Sequence, residues 1–166
     1  MAQVVVGTGS TLKATTLEGL LQECCTLLRM KELDPVHNPN NEARVSNSHN
    51  QADGIFNSSY NLLVNPTQND SGQNVLAVPE YLTGLIFSPG TGGTFKSITC
   101  AGYLIELVMF AQNLERSTVK NPNKLNYVTG TYNSENNSFS GSITVPIITS
   151  INAEGGTVYT ADEYLL

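Results

Sequence analysis

The apolar positions of this chain predict two helices, one in each half. In the first half the apolar residues follow the three- and four-residue spacing that places side chains on one helical face: Leu17, Leu20, Leu21, Cys24 and Leu28. This spacing predicts a helix over 16–33, with a capping box formed by Thr15 and Glu18 at its start. A second helix, predicted over 99–116, is apolar on nearly all sides, which is typical of a helix buried on more than one face.

Short apolar or β-branched runs around the helices predict strands. An NPN triplet after each helix ends it, because the residue before proline prefers an extended conformation. Polar turns at 50–54 and 133–138 separate the strands that follow, and Pro146 marks its strand as an edge or a bulge. The strands with predicted bounds lie at 3–6 and 74–78 in the first half and at 85–87, 125–132, 138–148 and 157–161 in the second.

When the chain is aligned with itself after a shift of half of its 166 residues, the two halves match without a gap. We call this shift the half-length. The clearest matches are GTGSTLKATT at 7–16 with GTGGTFKSIT at 90–99, VHNPN at 36–40 with VKNPN at 119–123, and EYL at 80–82 with EYL at 163–165. At 24 positions the halves are identical, whereas unrelated segments of this composition would share about 5. Two copies are too few for a solenoid, but they suit a pseudo-two-fold pair, which is a dimer made within one chain.

These patterns together predict an α+β fold made by a gapless tandem duplication of a β-α-β-β-β unit that is one half-length long. The predicted repeats are 1–83 and 84–166, related by a pseudo-two-fold axis, with two helices and a mostly antiparallel sheet. No linker separates them, since EYLTGLIF runs directly from one repeat into the next. We therefore expect the repeats to share one core as a single compact domain.

The composition narrows the classes of function. A net charge of −6 with only eight Lys and Arg disfavours binding to nucleic acid and to anionic membrane surfaces. Charged residues make up 13% of the chain, and 18 Asn together with Ser and Thr supply the polarity, which suits hydrogen-bonded contacts. The apolar run at 103–111 contains Glu106 and is too short to span a membrane. The absence of a signal-peptide pattern and of a disulfide framework favours a cytoplasmic location.

The repeated Gly/Thr loops are the first candidates for a ligand site. Their candidate residues are Gly7, Thr8, Gly9, Gly90, Thr91 and Gly92. A glycine-rich loop between a strand and a helix can present backbone amides to a phosphate. Neither loop matches the P-loop or the dinucleotide fingerprint, however. The favoured interpretation is that the glycines supply positive φ angles for a tight turn.

One acidic residue and one basic residue of the first half recur at the matching positions of the second half. Glu23 and Glu106 interrupt the apolar stretches of the helices, and Lys13 and Lys96 are the lysines that match between the halves. A carboxylate in an apolar setting requires a partner or water. We therefore expect Lys–Glu ion pairs that organise the contact between the repeats, with a catalytic acid as the alternative.

The sequence shows no motif for catalysis, for a metal or for a cofactor. No nucleophile elbow and no zinc spacing occur, and His37 and His49 lie in Asn-rich stretches predicted as loops. We therefore expect a structural or interaction protein without enzymatic activity and without a cofactor, a building block that associates with itself or with another protein. Part of the 103–111 surface, or the strand edges near Pro146, is expected to contact another copy. The alternative is a small-ligand-binding protein or an enzyme, with its site in the groove between the repeats near the Gly/Thr loops.

Overall fold

The computed structural model describes most of the 166-residue chain. The described residues are 5–12, 14, 16–50, 54–68, 71, 74–77, 82, 87–95, 97–146, 148–151, 153–155 and 157–160. Within these ranges the elements are α1 (Leu17–Glu32), β1 (Val45–Asn50), β2 (Ile55–Leu63), β3 (Asn65–Gln68), β4 (Asn74–Ala77), α2 (Cys100–Glu115), β5 (Val128–Asn133), β6 (Ser138–Pro146), β7 (Ile148–Ile151) and β8 (Thr157–Thr160).

Both helices lie within one residue of their predicted bounds, and each begins at a threonine N-cap. The Oγ1 atoms of Thr16 and Thr99 accept hydrogen bonds from the glycine N–H three residues later, at 3.1 and 3.0 Å. Such a cap satisfies one of the helix's unpaired amide donors. The predicted cap at Thr15 is therefore wrong by one residue, although Thr15 itself lies outside the described residues. Glu18 is buried in the first turn of α1.

The α+β class is confirmed by two helices and a four-stranded antiparallel sheet in the order β1-β2-β6-β5. The strands predicted around each polar turn pair as the hairpins β1–β2 and β5–β6. The strands β2 and β6 join these hairpins through a ladder centred on the pair Ser59 and Ser142. Two further ladders, β3–β4 and β7–β8, are antiparallel and two-stranded.

Several of the predicted strand features differ from the structure. The strand predicted at 138–148 covers all of β6, which ends at Pro146, and the first residue of β7, which begins at Ile148 in another ladder. The described parts of the strands predicted at 3–6 and 85–87 are not strands, and the neighbouring loops meet instead in an isolated bridge between Thr8 and Thr91. Pro146 is the last residue of β6, and β6 lies between β2 and β5 rather than at an edge of the sheet. Proline has no backbone N–H to donate, which a strand tolerates better at its end than in its middle. His49 pairs with Phe56 in β1 rather than lying in a loop.

The helices cover one face of the four-stranded sheet. Residues of β2 alternate between buried and exposed, so that Phe56, Tyr60 and Leu62 face the helices. Buried apolar residues from both halves form one cluster, which includes the free thiols of Cys24, Cys25 and Cys100. Nine of the 16 residues of α2 are buried. The core therefore takes up most of the apolar surface that made this helix a predicted contact with another copy.

Candidate functional site

The two Gly/Thr loops contact each other. Thr8 N donates to Thr91 O at 2.8 Å, and Thr91 N donates to Thr8 O at 3.0 Å. On either side of this bridge, Thr11 N donates to Ser88 O at 2.9 Å and Thr94 N donates to Val5 O at 2.8 Å. The two loops therefore form a small antiparallel backbone contact between the first and second halves of the chain.

The loop glycines serve two different needs. Gly9, Gly90 and Gly92 have φ angles of 81°, 75° and 78°, as the favoured interpretation of the sequence requires. Gly7 has no positive φ, but a Cβ there would overlap the backbone of Gly90, and a Cβ at Gly90 would overlap that of Gly7. Glycine is therefore required at these two positions because the backbones approach closely, and a bound anion is not needed to explain it.

Most amides of the first loop already donate within the protein. Besides the amides of Thr8 and Thr11, Ser10 N donates to Gly7 O at 3.1 Å and Leu12 N donates to Ser10 Oγ at 3.1 Å. A phosphate site at a helix N-terminus requires amides that are free to point at the anion. The described part of this loop does not offer such a set of donors.

The two acidic residues Glu23 and Glu106 hold the loops against their helices. Glu23 Oε1 accepts a hydrogen bond from Ala14 N at 2.5 Å, and Glu106 Oε1 accepts one from Ser97 N at 2.6 Å. Both carboxylates are partly buried. Lys13 and Lys96 lie outside the described residues, so the predicted Lys–Glu pairs stay a prediction. The structure identifies a backbone N–H as one partner of each carboxylate.

A pair of buried asparagines organises the loop after each helix, a role that the sequence analysis missed. Asn38 Nδ2 donates to Glu32 O at 2.9 Å and to Glu42 O at 2.8 Å. Asn121 Nδ2 donates to Glu115 O at 2.9 Å and to the carbonyl four residues further on at 2.8 Å. The sequence signal for this role is the repeated NPN triplet, whose first asparagine is the buried residue in each half.

A groove of about 770 Å³ runs along α2 and is called here the α2 groove. Three phenylalanines form its apolar walls, and Met109 and Arg116 lie along its helical side. The phenylalanines are Phe95, Phe110 and Phe139. All lining residues belong to 94–139, so this groove lies within the second half and not between the halves.

A smaller groove, the α1 groove, lies at the matching place in the first half. Its volume is about 380 Å³. Six of its lining residues stand one half-length before residues of the α2 groove: Thr26, Arg29, Met30, Leu33, Asn47 and Phe56. The two grooves therefore occupy corresponding positions, with different side chains and different volumes.

The face of the four-stranded sheet that points away from the helices carries no ionisable side chain among its described residues. We call it the outer sheet face, and its exposed centre is Ser59 and Ser142. Other outward residues are Ser46, Ser48, Ile55, Asn57, Asn61, Leu63, Thr129, Thr131, Asn133, Ser140, Thr144 and Pro146. At one corner Arg44 precedes β1 and pairs with Glu42 at 2.8 Å. The described strand residues of this face are thus uncharged and mostly polar, and the charged pair of Arg44 and Glu42 borders them at the corner.

Within the described ranges no three His, Cys, Asp or Glu side chains lie together as a metal site would require. Neither described helix has the length and apolar character needed to cross a bilayer. Comparisons with protein-family models, with curated proteins and with solved structures gave no significant match.

Proposed function

We propose that this chain is a non-enzymatic building block, in which a duplicated unit forms a pseudo-two-fold pair that associates with itself or with another protein. The observation that carries the proposal is that the same elements and pairings occur at corresponding positions of the two halves. Helix α2 begins and ends one half-length after α1. The central pairs Thr8–Thr91 and Ser59–Ser142 each join residues that are one half-length apart, as pairs on a pseudo-two-fold axis would.

A pseudo-two-fold unit presents its surface features twice, which suits closed or layered assembly. The outer sheet face is centred on one of the pairs that would lie on the axis. The exposed valines Val36 and Val119, 76% and 75% accessible, stand at matching places in the loops after the two helices. A partner that binds one copy of such a feature can bind the other in the same way.

The outer sheet face suits contact with a second copy because of its charge. Two chains of net charge −6 repel each other least where the facing strand residues are uncharged and the charges at the border, Arg44 and Glu42, are paired with each other. Hydroxyl and amide side chains both donate and accept, so the face is complementary to itself. Four strands about 4.8 Å apart and about seven residues long give a footprint of roughly 400 Å² per copy. This area is small for a stable interface, and we expect weak association.

The test is the mass of the native particle in solution. Sedimentation velocity from 1 to 200 µM is expected to show a dimer or a larger species that grows with concentration. A double variant, Ser59→Glu with Ser142→Glu, is expected to return the 17.8 kDa monomer, whereas the exposed turn variant Ser134→Glu is not. A monomer at every concentration, with no partner bound, would overturn the proposal.

The alternative function, a ligand site between the repeats near the Gly/Thr loops, has less support. Most of the described amides of the first loop already donate within the protein. The backbones of Gly7 and Gly90 approach too closely to admit even a methyl group between them. The larger helix groove lies instead within the second half.

A further inference from the structure

The aromatic wall of the α2 groove consists of Phe95, Phe110 and Phe139, whereas the described lining of the α1 groove holds one aromatic residue, Phe56. Phe87, Tyr103, Phe95 and Phe110 form a chain of edge-to-face contacts, with ring centroids 5.3, 5.5 and 5.4 Å apart. The positions one half-length earlier carry aliphatic side chains: Val4, Leu20, Leu12 and Leu27. The second half thus has aromatic rings where the first half has aliphatic residues.

Part of this aromatic wall is open to solvent. Phe110 is partly buried and Met109 beside it is 51% exposed, whereas Phe95 and Phe139 are almost wholly buried. The apolar surface of α2 that the core does not cover therefore faces the groove. A volume of about 770 Å³ lies within the range of sites for small molecules.

The groove is polar at both ends. Glu106 lies at one end, where it accepts the hydrogen bond from Ser97 N. Arg116, at the end of α2, lies at the other end, about 15 Å away by the helical rise. Among the described residues Arg116 forms no salt bridge. That separation exceeds the screening length of about 8 Å at physiological salt, so Glu106 repels an anion at Arg116 only weakly.

The positively charged side chain at this end of the groove, Arg116, has no charged counterpart at the matching position of the first half. In the α1 groove Leu33 takes the position of Arg116. The arginine of that groove, Arg29, pairs with Glu32 at 3.4 Å. In the α2 groove Gln112 takes the place of Arg29, and its amide can pair with both backbone groups of Gly130, at 3.3 and 3.1 Å. Arg116 is therefore the charged group of this groove that is placed to recognise a ligand.

We propose that the α2 groove binds a small aromatic carboxylate, with its ring system against Phe95, Phe110 and Phe139 and its carboxylate at Arg116. Aromatic rings favour edge-to-face and offset contacts, which the open side of Phe110 offers. A guanidinium group binds a carboxylate through two parallel hydrogen bonds. This site is independent of self-association, because it lies on the helical side of the sheet and not on the outer sheet face.

The experiment uses 2-naphthoate as the probe and 2-naphthalenemethanol as its neutral counterpart, titrated against the full chain by calorimetry or by NMR. The naphthoate is expected to bind with one site per chain and at least tenfold more tightly than the alcohol. Arg116→Gln is expected to remove that tenfold preference and to leave binding of the alcohol unchanged. The matched control Arg29→Gln in the α1 groove is expected to change neither affinity.

A second variant tests the aromatic wall without inserting a charge. Phe110→Leu, which copies Leu27 of the first half, is expected to weaken both probes several-fold while the thermal transition remains cooperative. Absence of saturable naphthoate binding up to 5 mM would overturn the proposal. Equal affinity of the two probes, or an equal loss from Arg29→Gln and Arg116→Gln, would also overturn it. None of these outcomes depends on the native mass of the particle.

Discussion

Replacing Glu106 with alanine tests whether the acidic residues kept in both halves hold the Gly/Thr loops against their helices. The carboxylate accepts a hydrogen bond from Ser97 N at 2.6 Å, in a partly buried position. Alanine removes the acceptor and leaves the Ser97 N–H without this partner. Glutamine keeps an oxygen at the same place and removes only the charge.

The size of the effect follows from the kind of hydrogen bond. A bond to a charged group contributes about 1.5–3 kcal/mol. We expect Glu106→Ala to lower the free energy of unfolding by about that amount, and Glu106→Gln to lower it by about 1 kcal/mol, since a neutral hydrogen bond remains. Glu23→Ala should cost about as much as Glu106→Ala, because Glu23 makes the matching bond to Ala14 N.

Urea unfolding followed by circular dichroism measures these differences, with the exposed turn variant Glu135→Ala as the control. If Glu106→Gln costs as much as Glu106→Ala, the charge matters rather than the acceptor, and the role assigned to Ser97 N is refuted. Lys96→Met then decides the remaining question. A buried Lys–Glu pair would make its loss cost about 3–5 kcal/mol, whereas a solvated lysine would leave the unfolding midpoint unchanged.

Other predictions concern the turns and the thiols. Asn121→Asp should destabilise the fold by about 2–4 kcal/mol in urea unfolding, because two carbonyls lose their donor; an equal loss from the exposed control Asn123→Asp would contradict this. Gly90→Ala should lower the melting temperature by several degrees, since the new Cβ overlaps the first loop; an unchanged transition would contradict it. Burial raises the pKa of Cys25 to about 12. Because the thiolate is the reactive form, a disulfide reagent at pH 8 should label no thiol until guanidinium unfolds the chain. The unfolded chain ionises its thiols from about pH 8.5, so stability should fall as pH rises from about 9 toward 12; rapid labelling of the native protein would contradict the burial of these thiols.

The helices could be predicted from the sequence because their signals are local. The spacing of Leu17, Leu21 and Leu28 sets one buried face, and each threonine cap lies within one turn of the glycine that it binds. The hairpins followed from their polar turns in the same way. The strands β3 and β7 did not emerge as separate elements, because NPTQ and ITSI are four-residue segments that lack a clear alternation of their own.

The candidate sites depend on contacts that no local pattern records. Nothing between residues 9 and 90 indicates that Thr8 and Thr91 pair, so the contact between the two loops could not be predicted from the sequence. The α2 groove likewise forms where Phe95, Phe110 and Phe139 meet from a loop, a helix and a strand. The replacement of Leu12 and Leu27 by phenylalanine in the second half was visible in the sequence, but only the fold places these rings around one groove.

The pairing of β2 with β6 also determines what a ribosome-bound chain exposes. The ladder joins strands whose last residues, Leu63 and Pro146, are separated by half of the chain. At about 5–20 residues per second, the edge of β2 emerges about 4–17 s before its partner strand is made. An unpaired strand edge is a template for pairing with another chain. Because β2 and β6 hold corresponding places in the two halves, we expect that slower synthesis leaves β2 open for longer to pairing with a neighbouring nascent chain.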